Sequence, residues 1–416
     1  MTMPQPASNR AQADDQLRGP LNGVVVVALE QAVSGPLCTR TLADLGARVI
    51  KIENPQGGDF TRAYDTTVRG LAAHFVWLNR GKESVTLDVR SQRGQSILHR
   101  LLDRADAFVS NLAPGATARI GVDADKLAER HPNVIGLEIS GYGEGGPLSG
   151  KRAYDLLIQA EAGVCATTGW AGRPAKPGPP LADACTGLYG AITLLAALHD
   201  RARTRQGTSC SVSMFDVVTE LMGYPLTYTR YTGIDQEPVG MGSPAVAPYG
   251  AYRTADGQTV VIGTTNDAEW QRLATAMGRS DLANDERFLR NPDRVVQRDE
   301  LDEPLSQWCA TRSLAEIQGI ADRAGIGNAR YNKPSEVNAH PHLRARDRWR
   351  EVDSPVGPVI ALVPPPIMAG HQPRMGSVPA LGAHTDDVLG ELGIGQTELA
   401  DLRAVGVIGP RPTLGI

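Results

Sequence analysis

One carboxylate stands apart by its setting. In Leu181-Ala182-Asp183-Ala184-Cys185-Thr186-Gly187, Asp183 is a lone acid between a Gly/Pro-rich stretch, 169–180, and an apolar run, 186–202. With Ile192, Leu194, Leu195 and Leu198 at its centre, that run reads as a buried helix, since a helix apolar on most sides must find its partners in a core. An acid at the head of such a helix has two uses. It can cap the first turn and complement the helix dipole, worth about 1 kcal/mol. Held in a partly dry site, it can instead act as a covalent nucleophile.

Other arrangements carry less. Gly141-Tyr142-Gly143-Glu144-Gly145-Gly146 satisfies G-x-G-x-x-G, but Pro147-Leu148-Ser149-Gly150 continues the loop where a dinucleotide site needs a helix to begin. The first strand–helix turn, 30–36, holds a single glycine, so a nicotinamide or flavin site is disfavoured. There is no Walker A, G-x-S-x-G or H-E-x-x-H motif. His340 and His342 flank Pro341 with no adjoining acid, which reads as a surface turn, and no metal site is expected. The five cysteines, Cys38, Cys165, Cys185, Cys210 and Cys309, are scattered with no CxxC pair, so neither a disulfide framework nor zinc is implied and a reducing cytoplasm fits.

The elements that must position Asp183 follow from periodicity. The run 24–29 is continuously apolar, as in a strand buried on both faces. A helix over 35–45 stopped by Gly46 and a strand over 48–53 complete a βαβ unit, and the pattern recurs as strand 84–89, helix 91–105, strand 107–110, helix 124–130 and strand 133–140. Such alternation predicts an α/β fold with a mostly parallel sheet. Texture changes to Tyr, Gly, Pro and Met near 225–248. A hairpin over 249–263 with Asp256-Gly257 at its turn follows, then helices 267–277, 299–309 and 314–324. The domain reading is a tail over 1–20, expected to be disordered, a large domain over 21–224, a small α+β domain over 225–328, and a return over 329–416.

Composition bounds the partners. The 416 residues are 41% hydrophobic and 21% charged with a net charge of -4, and aromatics make up 5%, which argues against a basic or base-stacking nucleic-acid surface. No signal peptide or membrane-spanning run is read from the sequence, so no membrane partner is expected.

Several segments, taken in order, resemble the class III CoA-transferase (CaiB/BaiF) family. They are Ser34-Gly35-Pro36, Leu45-Gly46-Ala47-Arg48-Val49-Ile50-Lys51-Ile52-Glu53, Gly58-Asp59-Phe60-Thr61-Arg62, Leu78-Asn79-Arg80-Gly81-Lys82, Asn111-Leu112-Ala113-Pro114-Gly115, Ser140-Gly141-Tyr142-Gly143, Ala153-Tyr154-Asp155 and Asp183 in Ala-Asp-x-x-x-Gly. The resemblance spans 21–392. It implies a Rossmann-like large domain built from both chain ends, a small middle domain, and an interlocked homodimer. It implies transfer of CoA from an acyl-CoA to a carboxylic acid, with Asp183 as the nucleophile and acyl-CoA as substrate rather than a tightly bound cofactor. By motif position, Arg62, Lys82, Asn111 and Arg119 are CoA-contacting candidates. Gln31, Val33, Ser140, Tyr142, Gly240 and Gly242 are acyl-pocket or oxyanion candidates.

Gln31-Ala32-Val33 and Ser140 depart from formyl-CoA transferase, where His-Val-Gln and a lysine stand, so formate and oxalate are disfavoured. Short dicarboxylic acids such as succinate, mesaconate or itaconate fit the overall pattern better, with Arg40, Arg152 and Arg230 each able to pair a distal carboxylate. The family's racemases offer an alternative chemistry, but they need a histidine where Tyr154 stands and a glutamate near Asn266. A non-catalytic CoA-binding protein is the remaining alternative.

Overall fold

The structure is a computed structural model that describes residues 19–411. Of the expected tail, all but Gly19 and Pro20 lies outside the described residues. The chain divides into two compact units. Of the described residues, the first takes 19–162, Pro179–Leu221 and 345–411; the second takes Gly163–Gly178 and Met222–Arg344.

The first unit is built on six strands: β1 (Val25–Leu29), β2 (Arg48–Glu53), β3 (Lys82–Thr86), β4 (Ala107–Ser110), β5 (Ile135–Ser140) and β6 (Ser209–Ser213). All pairings are parallel, in the order β3-β2-β1-β4-β5-β6. Between them run α1 (Ser34–Asp44), α2 (Ala73–Asn79), α3 (Gln92–Leu102), α4 (Ala124–Arg130), α5 (Asp155–Glu161) and α6 (Leu181–Thr204), with α7 (Met214–Leu221) after β6. Helices cover both faces, which is why β1 is apolar throughout: Val27 and Leu29 face one layer, Val26 and Ala28 the other. The first layer includes Ile97, Leu98 and Leu101 of α3, with Leu389, Leu399 and Leu402 of the returning C-terminal segment. The second holds Cys38 and Leu42 of α1 with Ala191 and Leu194 of α6. Each fully buried Val or Leu contributes roughly 1.5–3 kcal/mol.

Strand order reverses between β1 and β4. In open parallel sheets the crevice at the carboxyl ends of strands flanking such a reversal is where ligands bind.

Two glycines set how closely α6 meets α1. A Cβ on Gly187 would lie 2.6 Å from the Ser34 carbonyl oxygen, and one on Gly190 would lie 3.2 Å from Cys38 Sγ. The apolar run does not make α6 buried all round, as its composition suggests. Leu188, Tyr189 and Ile192 are exposed while Gly187, Gly190, Ala191 and Leu194 are covered. By length and composition alone α6 meets the measure of a bilayer span; here its covered stripe packs on α1.

In the second unit, β7 (Tyr249–Arg253), β8 (Thr259–Gly263) and β9 (Gly327–Arg330) form an antiparallel sheet in the order β9-β8-β7. Helices α8 (Asp267–Ala276), α9 (Arg298–Ala310) and α10 (Leu314–Ala324) supply Trp270, Leu305 and Ile317 to its core. Residues 169–180, read as loop, begin with a two-residue ladder, Gly169–Trp170 against Arg173–Pro174.

Candidate active site

A cavity of about 1010 Å³ opens at the carboxyl edge of the first unit's sheet. Its walls are the segments leaving β1 (Gln31, Ala32, Ser34), β4 (Asn111 to Ala116) and β5 (Ser140 to Glu144), with Lys151 to Tyr154, the end of β6, and Asp183. The volume is at the upper end for small-molecule sites.

Asp183 sits in the first turn of α6 but does not cap it. The N-cap position is Pro180, which offers no side-chain acceptor. The capping reading therefore fails for Asp183, and the acceptor comes from another helix. Asp155, first residue of α5, accepts the N–H of Ala182 at 2.9 Å and that of Asp183 at 3.4 Å through Oδ1. Its Oδ2 accepts from Gln159 Nε2 at 2.7 Å.

The electrostatic result is a weakly acidic Asp183. Burial and then the Asp155 charge push it up from 3.8 to about 7, against a hydrogen bond from Ser34 that works the other way. At neutral pH such a carboxylate is divided between an acid and a nucleophile.

The loop facing Asp183 is fixed from behind. Asn111 Oδ1 accepts the Gln31 N–H at 2.8 Å and Asn111 Nδ2 donates to the Gln31 carbonyl at 2.7 Å. Ala32 takes a positive φ of 62° and donates to Asp59 Oδ1 at 3.3 Å. Behind it lies a set of three carboxylates and three cations. Lys82 meets Glu30 at 2.6 Å, Lys51 meets Asp59 at 2.9 Å and Glu30 at 3.4 Å, and Arg62 meets Glu53 at 2.7 Å. Burial works against the Glu30 charge, but Lys82 and Lys51 hold its carboxyl below the usual range. Burial pushes Lys82 down to about 8, with Glu30 pulling it back.

That set changes the roles of two CoA-contact candidates. Lys82 is fully buried and donates to Glu30, the Pro36 carbonyl and Asn79, so its three N–H bonds are spent inside the protein. Arg62 forks onto Glu53 and lies 3.6 Å over the Phe75 ring. Neither lines the cavity; both brace the loop. Asn111 does line it, and Arg119 is an exposed residue just past Gly115 and Ala116 of its wall.

The acyl-pocket candidates separate in the same way. Gln31, Ser140 and Tyr142 line the cavity. Ser140 Oγ accepts the Gly143 N–H at 3.1 Å, and Tyr142 carries the Lys151 ammonium 5.5 Å from its ring centre. Val33 turns away, buried against Leu37 and Leu78. Gly240 and Gly242 belong to the second unit, and their N–H groups already donate to the carbonyls of Gly169 and Val239. Those two amides are therefore not oxyanion donors as they stand.

Of the three arginines weighed for a distal carboxylate, Arg152 lines the cavity. Arg40 donates to the Trp77 carbonyl and lies 3.5 Å from Asp44; Arg230 is in the second unit. The positions that a racemase would use as bases are otherwise occupied. Tyr154 precedes α5, and Asn266 caps α8 by accepting the Glu269 N–H at 2.9 Å.

Comparison with known proteins identifies the family. The family model described as CoA-transferase family III matches residues 21–385. A succinyl-CoA–D-citramalate CoA-transferase of Chloroflexus aurantiacus is 33% identical over 94% of this chain and 98% of its own. A succinate–glutarate CoA-transferase of Agrobacterium fabrum is 30% identical over 90% and 96%. The crystal structure of a CaiB/BaiF family protein from Brucella suis superposes with a TM-score of 0.78 at 32% identity, covering 90% of this chain and all of that one.

Proposed function

The chain belongs to CoA-transferase family III, and from that premise we propose that Asp183 carries CoA between carboxylic acids through covalent aspartyl intermediates. The ionised carboxylate attacks the thioester carbonyl of an acyl-CoA; the C–S bond breaks and CoA thiolate leaves a mixed anhydride. The thiolate then attacks the aspartyl carbonyl, giving an aspartyl-CoA thioester and releasing the first acid as its carboxylate. The acceptor carboxylate attacks that thioester, thiolate leaves again, and its attack on the acceptor's carbonyl yields the new acyl-CoA and restores Asp183. No proton or phosphate is consumed, because each covalent state retains the activation of the thioester.

The observation that carries this reading is Asp183 itself: a carboxylate on the wall of a cavity of about 1010 Å³, its pKa raised by burial and the neighbouring Asp155. The acyl end is a short dicarboxylic acid, matching the acids that the relatives' names give. Arg152 on the same wall supplies a planar fork suited to a second carboxylate. Oxyanion donors are sought in the first-turn amides of α1, where the N-cap Val33 supplies no side-chain acceptor and Ser34 reaches the cavity. The working form is a homodimer; exposed Leu156, Leu157, Leu188 and Ile192 are apolar surface that a second copy would cover. The test is incubation with succinyl-CoA and a panel of mono- and dicarboxylic acids, reading acyl-CoA products by mass spectrometry. New acyl-CoA from the wild type and none from Asp183→Ala is expected. Exchange that survives in Asp183→Ala would refute it.

A further inference from the structure

Asp155 is a second acid at the nucleophile, and its contacts divide cleanly. Oδ1 closes the first turn of α6 by accepting from the N–H groups of Ala182 and Asp183. Oδ2 is held by Gln159, a residue with no solvent exposure. Gln159 leaves its own Oε1 buried without a hydrogen-bond partner, so its amide is turned to present a donor to Asp155. A buried orphan oxygen is unfavourable, and is tolerated here where the donor end of the same amide meets a carboxylate.

We propose that Asp155 is a positioning residue for Asp183: by accepting from the N–H groups of Ala182 and Asp183 it fixes the peptide that bears the nucleophile and places a second carboxylate beside it. The inference rests on the reading of Asp183 as the attacking group. Two effects meet in one carboxylate. The cap replaces the acceptor that Pro180 lacks, and like charge disfavours the ionised form of Asp183. The other groups near Asp183 are the Ser34 hydroxyl on α1 and Tyr64, with Glu138, Glu144, Lys151, Arg152, Tyr154 and Asp216 elsewhere around the cavity. Among the described residues, Asp155 is the group whose charge raises the Asp183 pKa.

The test separates the cap from the charge. Asp155→Asn keeps an oxygen for the Ala182 and Asp183 N–H groups and loses the charge, and a flipped Gln159 can accept from the new amide. The expected result is an acidic limb of the kcat profile moved down by about one pH unit, with a plateau lowered severalfold because a less basic nucleophile attacks more slowly, as for thiolates. Asp155→Ala loses both, and its kcat should fall roughly 10–100-fold with KM for acyl-CoA little changed, as a displaced nucleophile predicts. An Asp155→Asn profile superposed on the wild type overturns the proposal, as does wild-type kcat in Asp155→Ala. If Asp155→Ala does not fold, Asp155→Asn decides alone. If the wild-type protein itself transfers no CoA, the function reading has failed, and the pH dependence of thermal stability in wild type and Asp155→Asn still reports whether Asp155 sets the Asp183 titration.

Discussion

Replacing the nucleophile should make the protein inactive and, at alkaline pH, more stable. Asp183 titrates near 7 in the folded chain against 3.8 for an ordinary aspartate. The folded state therefore holds this proton more tightly than the unfolded state does. Between about pH 4 and pH 7 the folded state binds more protons, so stability falls as pH rises through that window. The gap is about three pH units, which at about 1.36 kcal/mol per unit is about 4 kcal/mol as a ceiling. Solvent in the cavity screens part of it, leaving roughly 2–4 kcal/mol. Asp183→Asn has the same shape, keeps a partner for Ser34, and carries no charge at any pH. Its advantage over the wild type should be absent near pH 4, grow through pH 7, and reach several degrees in Tm at pH 8. Scanning calorimetry of both proteins in half-unit steps from pH 5 to 9 measures it. A Tm difference that is flat across that range, or a mutant less stable at pH 8, would show that burial and Asp155 do not act on Asp183 as described.

Four further outcomes follow from the same geometry. In the wild type, kcat should rise with pH through about 7, since the ionised form of Asp183 attacks; a flat profile from pH 5.5 to 8.5 would contradict this. Gly187→Ala should cost about 1–3 kcal/mol by denaturant titration and lower kcat more than it raises KM, because the new Cβ meets the Ser34 carbonyl oxygen at 2.6 Å and pushes the Asp183 turn away. Lys82→Met should destabilise by about 3–5 kcal/mol in urea melts, as expected when a buried pair loses one partner, rather than weaken CoA binding selectively in titration calorimetry. Arg152→Ala should raise KM for a dicarboxylic acceptor about tenfold or more while leaving acetate or propionate unmoved in the same coupled assay.

Much of the fold was legible because its signals are local. The apolar run at Val25–Leu29 needs two covered faces, and Gly46, with φ 105°, ends α1 where the sequence places a stop. Asp183 was legible as either a cap or a nucleophile, and the family resemblance rather than its own spacing chose between them. Its neighbours were not, because their roles depend on which elements meet. Asp155 caps a helix 27 residues away, and no local spacing announces that. Lys82 and Arg62 look like surface cations for a phosphate, yet strand β3 and the turn after Asp59 carry them onto Glu30 and Glu53. Gly240 and Gly242 have the composition of an oxyanion loop, but their N–H groups are spent on Gly169 and Val239. Arg152 could be chosen over Arg40 only after the cavity wall was known.

The central claim is a covalent bond to one carboxylate. The most direct measurement is to mix the protein with succinyl-CoA, quench with hydroxylamine, digest, and locate the hydroxamate by tandem mass spectrometry. The account predicts a hydroxamate on Asp183 that requires succinyl-CoA and is missing without it. Turnover with Asp183 unmodified, or with the label on another carboxylate, would contradict it.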